Sequence, residues 1–271
     1  MTFRTIEISD PQFEIGGLRY LTVKSPALKG RVDVSVFIPE EAKGQANVPV
    51  IVLLHGVYGS HWAWTMSGGA HLTLQKMIAT GSIQPFILVM PSDGLWGDGS
   101  GYVPHASQNF EAWIGRELPI LIRQQFVEVS AASSFYIGGL SMGGYGAFRI
   151  GVKYVETYRG ISGHSSVTSI QNLMTFVEED WSFWNAEQAD DIGALLLQNR
   201  EQAPPFRFDC GLEDDLLSAN RALHQLLLDH AIKHVYEEFP GGHEWSYWQE
   251  HVRETFRFFD TIEQKAKAFA R

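Results

Sequence analysis

Cysteine is almost missing from this chain. Cys210 stands alone, so neither an internal disulfide nor a cysteine-built zinc site can form. An excess of positive charge is missing too: 21 Lys and Arg face 31 Asp and Glu, a formal net charge of −10. Without a basic stripe, nucleic acid and anionic membrane surfaces are not expected partners. No apolar run approaches the roughly 18 residues of a membrane span, and the opening stretch MTFRTIEISD has no apolar signal-peptide core. These absences lead to the expectation of a reduced, cytoplasmic protein. Repeats and low-complexity linkers are lacking as well, so the 271 residues are expected to form a single domain, 1–271. What is present is 45% hydrophobic and 19% charged residues, the balance of a globular chain with a full core.

Two early runs, GLRYLTVKS and RVDVSVFIP, alternate apolar and polar residues and suit an antiparallel edge. Val48–Gly56 is apolar without alternation, as expected of a strand buried on both faces. We read Pro85–Pro91, Ser133–Gly139, Phe206–Gly211 and His234–Gly241 as further runs of that kind, with another strand near Gly160. Between them lie helical patterns over Gln108–Phe126 (interrupted at Pro119), Gly144–Tyr154, Leu216–Ala231 and Trp245–Ala270. Strands alternating with helices predict an α/β fold with a mostly parallel twisted sheet covered on both faces. In such sheets functional groups gather beyond the carboxyl ends of the strands. The stretch 168–205 breaks the rhythm. It is acidic and carries Trp181 and Trp184, and we read it as a cap insertion over the sheet edge, with an ordinary surface helix pair as the alternative.

GGLSMGGYGAF (Gly138–Phe148) crowds glycines around one serine between a predicted strand and a predicted helix. Glycine is costly in regular structure, so the cluster marks a sharp turn or a close approach. Gly139-Leu140-Ser141-Met142-Gly143 matches the G-x-S-x-G spacing of a nucleophile elbow. A neutral alcohol is a poor nucleophile and needs a base oriented by a carboxylate. DCGLEDDLL offers Asp209, Glu213, Asp214 and Asp215. Asp214 sits in the loop before a helix, Asp215 suits a helix N-cap, and Glu213 suits a solvated loop charge. FPGGHEWSYW offers His243, which follows two glycines after the last strand. His224, His230 and His234 read as exposed or interfacial, and no acidic ligand set accompanies them to suggest a metal site; no cofactor is expected.

Acyl transfer also needs donors for a developing oxyanion. The N–H of Met142 is one, and LLHGVYGSHWAW supplies the second from Val57 or Tyr58. His55 suits a loop-fixing role. Candidate pocket walls are His55, Trp62, Trp64, Trp96, His164, Trp181 and Trp184, with burial in the core as the alternative for most of the tryptophans.

The order Ser141…Asp214…His243 is that of α/β-hydrolases. With LLHG, VMP, ELPILIRQQF, GLSMGGYGAF, CGLEDDLL and GGHEWSYW, the chain resembles the esterase D-like branch of that fold over about 32–259. It is most similar to the tributyrin and acetyl esterase group. The resemblance implies an α/β-hydrolase fold, nucleophile Ser141, acid Asp214 and base His243. It implies a serine carboxylesterase for small-molecule, short-chain acyl esters, acetylated or aryl-acylated sugars among them. The alternatives are a thioesterase of the S-formylglutathione hydrolase type, an acyltransferase, or a non-catalytic binding module on this scaffold. A homo-oligomer is compatible with the resemblance. One departure lies in PSDGLWGDGSGYVPHASQNFEAW, where Trp96, Asp98 and Tyr102 stand in an unfamiliar arrangement on the leaving-group side.

Overall fold

The computed structural model describes residues 3–179 and 191–269. Among them, nine strands form one sheet in the order β1-β2-β3-β5-β4-β6-β7-β8-β9. β1 (Ile6–Ile8), β2 (Leu18–Ser25) and β3 (Gly30–Phe37) run antiparallel at one edge, and β3 pairs antiparallel with β5 (Ile87–Pro91). From β5 onward the sheet is parallel, through β4 (Val50–Leu54), β6 (Phe135–Leu140), β7 (Tyr158–His164), β8 (Phe206–Gly211) and β9 (Val235–Phe239). The alternating early runs became the antiparallel hairpin, and the continuous apolar runs became the inner strands. β9 departs from that reading: it is a half-exposed edge strand, and its Glu237 and Glu238 pair with Arg207 and Arg221. Charged side chains are a common guard on an open edge.

The pleat sends alternate residues of each inner strand into two cores. Val50, Val52 and Leu54 join Ile87 and Val89 on one face, against α3 (Leu118–Gln125), α4 (Met142–Lys153), α6 (Ile192–Gln198) and α7 (Leu217–Asp229). Ile51, Leu53, Leu88 and Met90 point the other way, against α1 (Ala70–Ala79) and α8 (Trp245–Phe269). Fully burying one such Leu, Ile or Phe side chain stabilises by about 1.5–3 kcal/mol, so both faces need their cover. Two short helices complete the set, α2 (Phe110–Ala112) and α5 (Ile170–Leu173).

Several predicted boundaries shift. The helix expected to break at Pro119 breaks earlier, in a π turn over Trp113–Glu117, and Pro119 then opens α3, where its missing N–H costs little. α4 begins at Met142 rather than Gly144, α7 ends at Asp229, and α1 went unpredicted. Asp215 does not cap α7; the side chain of Asp214 accepts from the Leu216 N–H at 2.8 Å instead. Part of the stretch read as a cap is ordinary core: Ile192, Leu195 and Leu196 of α6 are buried beside Leu223 and Leu227 of α7. Among the described residues no helix is long and apolar enough to cross a membrane.

Candidate active site

β4 lies between β5 and β6, so the connections leaving β4 and β6 part to opposite sides and open a crevice at the carboxyl end of the sheet. Ser141 follows β6 directly with φ 53° and ψ −119°, a conformation that costs a non-glycine residue of the order of 1–3 kcal/mol. The surroundings hold it there. Its N–H donates to His164 O at 2.9 Å, and its own carbonyl accepts from Tyr145 and Val167.

The flanking glycines serve close approach rather than left-handed backbone. A Cβ on Gly143 would lie 2.3 Å from Leu54 O and 2.5 Å from His55 O. One on Gly139 would lie 2.3 Å from Gly143 O. The strain of the turn falls on the serine, and the glycines let α4 abut the ends of β4 and β6.

The predicted partners meet. His243 Nε2 lies 3.0 Å from Ser141 Oγ, and His243 Nδ1 lies 2.9 and 3.1 Å from the two Asp214 oxygens. The carboxylate fixes the tautomer: Nδ1 donates, leaving Nε2 to accept the serine proton. Burial alone would raise the Asp214 pKa. Hydrogen bonds from His243, the Leu216 N–H and Ser165 outweigh it and hold the carboxyl below its ordinary value. Two loops keep the pair in register. Glu213 is exposed, as expected of a solvated loop charge, and it also latches the loops: its side chain accepts from the Gly241 N–H and its backbone N–H donates to Gly241 O.

The oxyanion candidates separate. Tyr58 N–H is committed to Asp98 O at 2.7 Å, which removes it as a donor for an oxyanion. Among the described residues, the N–H groups of Val57 and Met142 have no acceptor. Met142 also stands at the first turn of α4, where the helix dipole favours negative charge. The segment 98–102, flagged as unfamiliar, backs this corner. The Gly101 N–H meets Met142 Sδ at 3.3 Å, and buried Tyr102 donates to His55 O at 3.1 Å.

Several expected pocket walls lie elsewhere. His55 is buried and pins its loop: Nδ1 donates to Gly56 O at 2.7 Å, and Nε2 accepts from Asp93 N at 3.1 Å. Trp64 is fully buried and donates to Leu54 O, and Trp96 packs against the core and the His105 ring. Trp62 is half-exposed at the start of a π turn. Trp181 and Trp184 lie outside the described residues.

His164 is a correction with a clear cause. It is fully buried beneath the sheet end, with Nδ1 2.9 Å from Asp209 and Nε2 2.7 Å from Thr255 Oγ1. Asp209 also accepts from Arg207 at 2.7 Å and Tyr247 at 2.9 Å. Burial would raise this carboxyl, but His164 and Arg207 hold it at about 2. This network consumes both His164 and Asp209, leaving Asp214 for His243.

Sequence reasoning passed over the groups around the imidazole. Phe176 stacks on His243 with centroids 5.9 Å apart, and Trp248 meets it edge-on at 5.0 Å. Trp248 Nε1 donates to Ser165 Oγ at 3.3 Å. The only trace of this in the sequence is the second tryptophan of HEWSYW. Phe176 comes from the stretch read as a cap, which is tied across the crevice: Tyr58 OH donates to Phe176 O, and Glu178 N–H donates to Asp98 at 2.9 Å. Among the described residues no cluster could hold a metal ion.

A parallel sheet with a strained serine after a central strand, bonded to a histidine from the last loop, defines a hydrolase of the α/β-hydrolase fold. The profile of the family described as "Putative esterase" matches residues 25–259, and the chain belongs to that family of carboxylic ester hydrolases. It is 28% identical over 266 residues to the acetyl esterase of Caldicellulosiruptor saccharolyticus, a match covering 90% of this chain and 92% of that one. A ferulic acid esterase superposes with a TM-score of 0.80 at 20% identity, covering 95% and 98% of the two chains. The S-formylglutathione hydrolase of Staphylococcus aureus superposes with a TM-score of 0.73 at 18% identity, covering 94% and 98%.

Proposed function

We propose that this protein is a serine carboxylesterase for short-chain acyl esters, working through an acyl-enzyme. The observation that carries this reading is the unbroken contact chain from Ser141 Oγ through His243 to Asp214, with the serine on a strained elbow. Ser141 Oγ attacks the ester carbonyl while His243 Nε2 takes its proton. The tetrahedral oxyanion accepts from the N–H groups of Val57 and Met142. His243 returns the proton to the departing alcohol. Water, activated by the same imidazole, then attacks the acyl-enzyme, the proton passes to Ser141, and the acid leaves. Asp214 holds the ring and stabilises the imidazolium in both halves. We assign the segment 174–179 as part of a cap over this site.

The acetyl esterase relative supports a short acyl group, and the ferulic acid esterase neighbour supports an aryl acyl group on the same scaffold. A thioesterase reading draws on the S-formylglutathione hydrolase neighbours. Ser141→Ala should abolish p-nitrophenyl acetate turnover and fluorophosphonate labelling while leaving the thermal transition in place. Activity equal to the wild type would remove Ser141 from the reaction.

A further inference from the structure

The connections at the carboxyl end of the sheet surround the candidate site, and their charge is one-sided. The connection from β4 to α1 (55–69) carries no Asp, Glu, Lys or Arg. Among the described residues, those leaving β5 (92–109), β7 (165–179 and 191), β8 (212–216) and β9 (240–244) carry two, three, three and one carboxylates and no Lys or Arg at all. Nine of the 31 acids therefore fall in these connections together with none of the 21 bases, and the rest of the chain is close to balanced.

The structure brings some of these carboxylates beside the reacting groups. Glu178 follows Phe176 by two residues, and the Phe176 ring stacks on His243. Asp98 accepts from the Glu178 N–H, and its own N–H donates to Glu179 at 2.9 Å. The next residue, Gly99, is so close to the oxyanion corner that a Cβ there would meet Met142 Sδ at 2.4 Å and Val57 Cγ1 at 3.2 Å. Exposed Glu244 follows His243 directly. The field reaches Tyr58, whose phenol is pushed up by burial first and then by Asp98, Glu178 and Glu179. A crevice lined by charge of one sign concentrates substrates of the other sign and repels its own.

We propose that this crevice selects by charge, accepting esters of neutral or cationic alcohols and disfavouring anionic acyl carriers. The inference rests on the esterase reading above and narrows it. S-Formylglutathione has two carboxylates and one ammonium, so its net negative charge opposes the field. A neutral acetylated or feruloylated sugar meets no such barrier. The selectivity acts on entry and orientation, leaving the acyl-transfer steps unchanged.

The test uses three aryl acetates of similar size: m-tolyl acetate, 3-acetoxybenzoate and the acetate ester of 3-hydroxyphenyltrimethylammonium. Each kcat/KM is divided by that ester's hydroxide rate, which removes intrinsic reactivity. Measured at about pH 8, where histidine is largely neutral, the cationic ester should exceed the anionic one by about tenfold or more at low salt. Near 1 M salt, where the Debye length is about 3 Å, the gap should close. The double variant Glu178→Gln/Glu244→Gln removes two exposed charges. With each roughly 10 Å from the substrate charge in water-like dielectric, the preference should shrink about five- to tenfold at low ionic strength. Each variant is read as the ratio of charged-ester to m-tolyl acetate turnover, which cancels any change common to all esters, and Glu178→Lys/Glu244→Lys should raise S-formylglutathione turnover relative to m-tolyl acetate. If the wild type fails to hydrolyse m-tolyl acetate, the esterase reading fails. If it hydrolyses all three esters with no charge preference, or the preference survives both salt and neutralisation, the charge selection is overturned and the esterase reading stands.

Discussion

Replacing Gly143 by alanine adds a single methyl group at the tightest point behind the serine. That carbon would start 2.3 Å from Leu54 O and 2.5 Å from His55 O. Both are backbone atoms at the end of β4, so no side-chain rotation relieves the clash. Restoring ordinary contact requires α4 to withdraw from β4 by about 1 Å, a distance at which misplacement of catalytic groups costs roughly 100-fold. The shift carries Ser141 and the Met142 N–H away from His243 and Val57, so the attack and the oxyanion stabilisation weaken together. Overpacking of this kind costs about 1–3 kcal/mol in stability. Gly151→Ala is the matched control. Its Cβ would meet the Ile161 side chain at 2.4 Å, on the same helix but far along it from Ser141. Steady-state kinetics on p-nitrophenyl acetate, paired with chemical denaturation, should show Gly143→Ala losing about 100-fold in kcat/KM. Gly151→Ala should lose comparable stability and little activity. If Gly143→Ala keeps wild-type kcat/KM, close packing of this helix does not position the site and the reasoning fails.

Asp214→Asn should lower kcat by roughly 10³–10⁴-fold, because an uncharged amide does not stabilise imidazolium and its NH2, turned to Nδ1, favours the wrong tautomer. Its Oδ1 can still accept from Leu216 N–H, so an unchanged thermal transition beside the lost activity separates this role from a structural one. Asp209→Asn should instead destabilise by about 3–5 kcal/mol, since it leaves buried Arg207 and His164 without their shared carboxylate. For a chain of this size that lowers Tm by about 10 °C; a Tm within the error of the wild type would show that the network contributes nothing. The same carboxyl sets an acid limit. Its pKa falls from 3.8 to about 2 on folding, so the stabilisation is complete above the unfolded value and is lost as pH falls towards the folded one. Acid denaturation of the wild type should therefore gain steepness between about pH 4 and pH 2, a component that Asp209→Asn lacks.

Much of the architecture follows from hydrophobic pattern. Val50–Leu54 and Ile87–Pro91 are apolar at every position because both faces are covered, and such a run identifies an inner parallel strand without knowledge of its neighbours. His234–Gly241 was harder to read. A strand with paired charges at an open edge and one at the centre differ in what lies beside them, which pattern alone does not record. Ser141 and His243 were legible because a glycine cluster and a glycine-hinged histidine are costly unless backbone must approach closely or turn sharply. Asp214 was legible as the favoured one of four carboxylates, from its place in the loop before a helix and from the resemblance.

The sequence by itself determined which chain segments alternate between strand and helix, that Ser141 ends a strand, and that His243 and a nearby acid follow later strands. These properties are local: they depend on side-chain periodicity and on where glycine is tolerated. Only the tertiary structure supplied the physical reason for Asp214, which loop position and resemblance had favoured: Asp209 is taken by Arg207 and His164 from neighbouring positions in the sheet, while Asp214 faces His243 across two interlocked loops. It likewise separated Val57 from Tyr58, moved His164 from the pocket to the core, and set Phe176 and Trp248 against the imidazole. Each of those outcomes depends on groups far apart in the chain competing for one hydrogen bond or one volume, and that competition exists only once the sheet has formed.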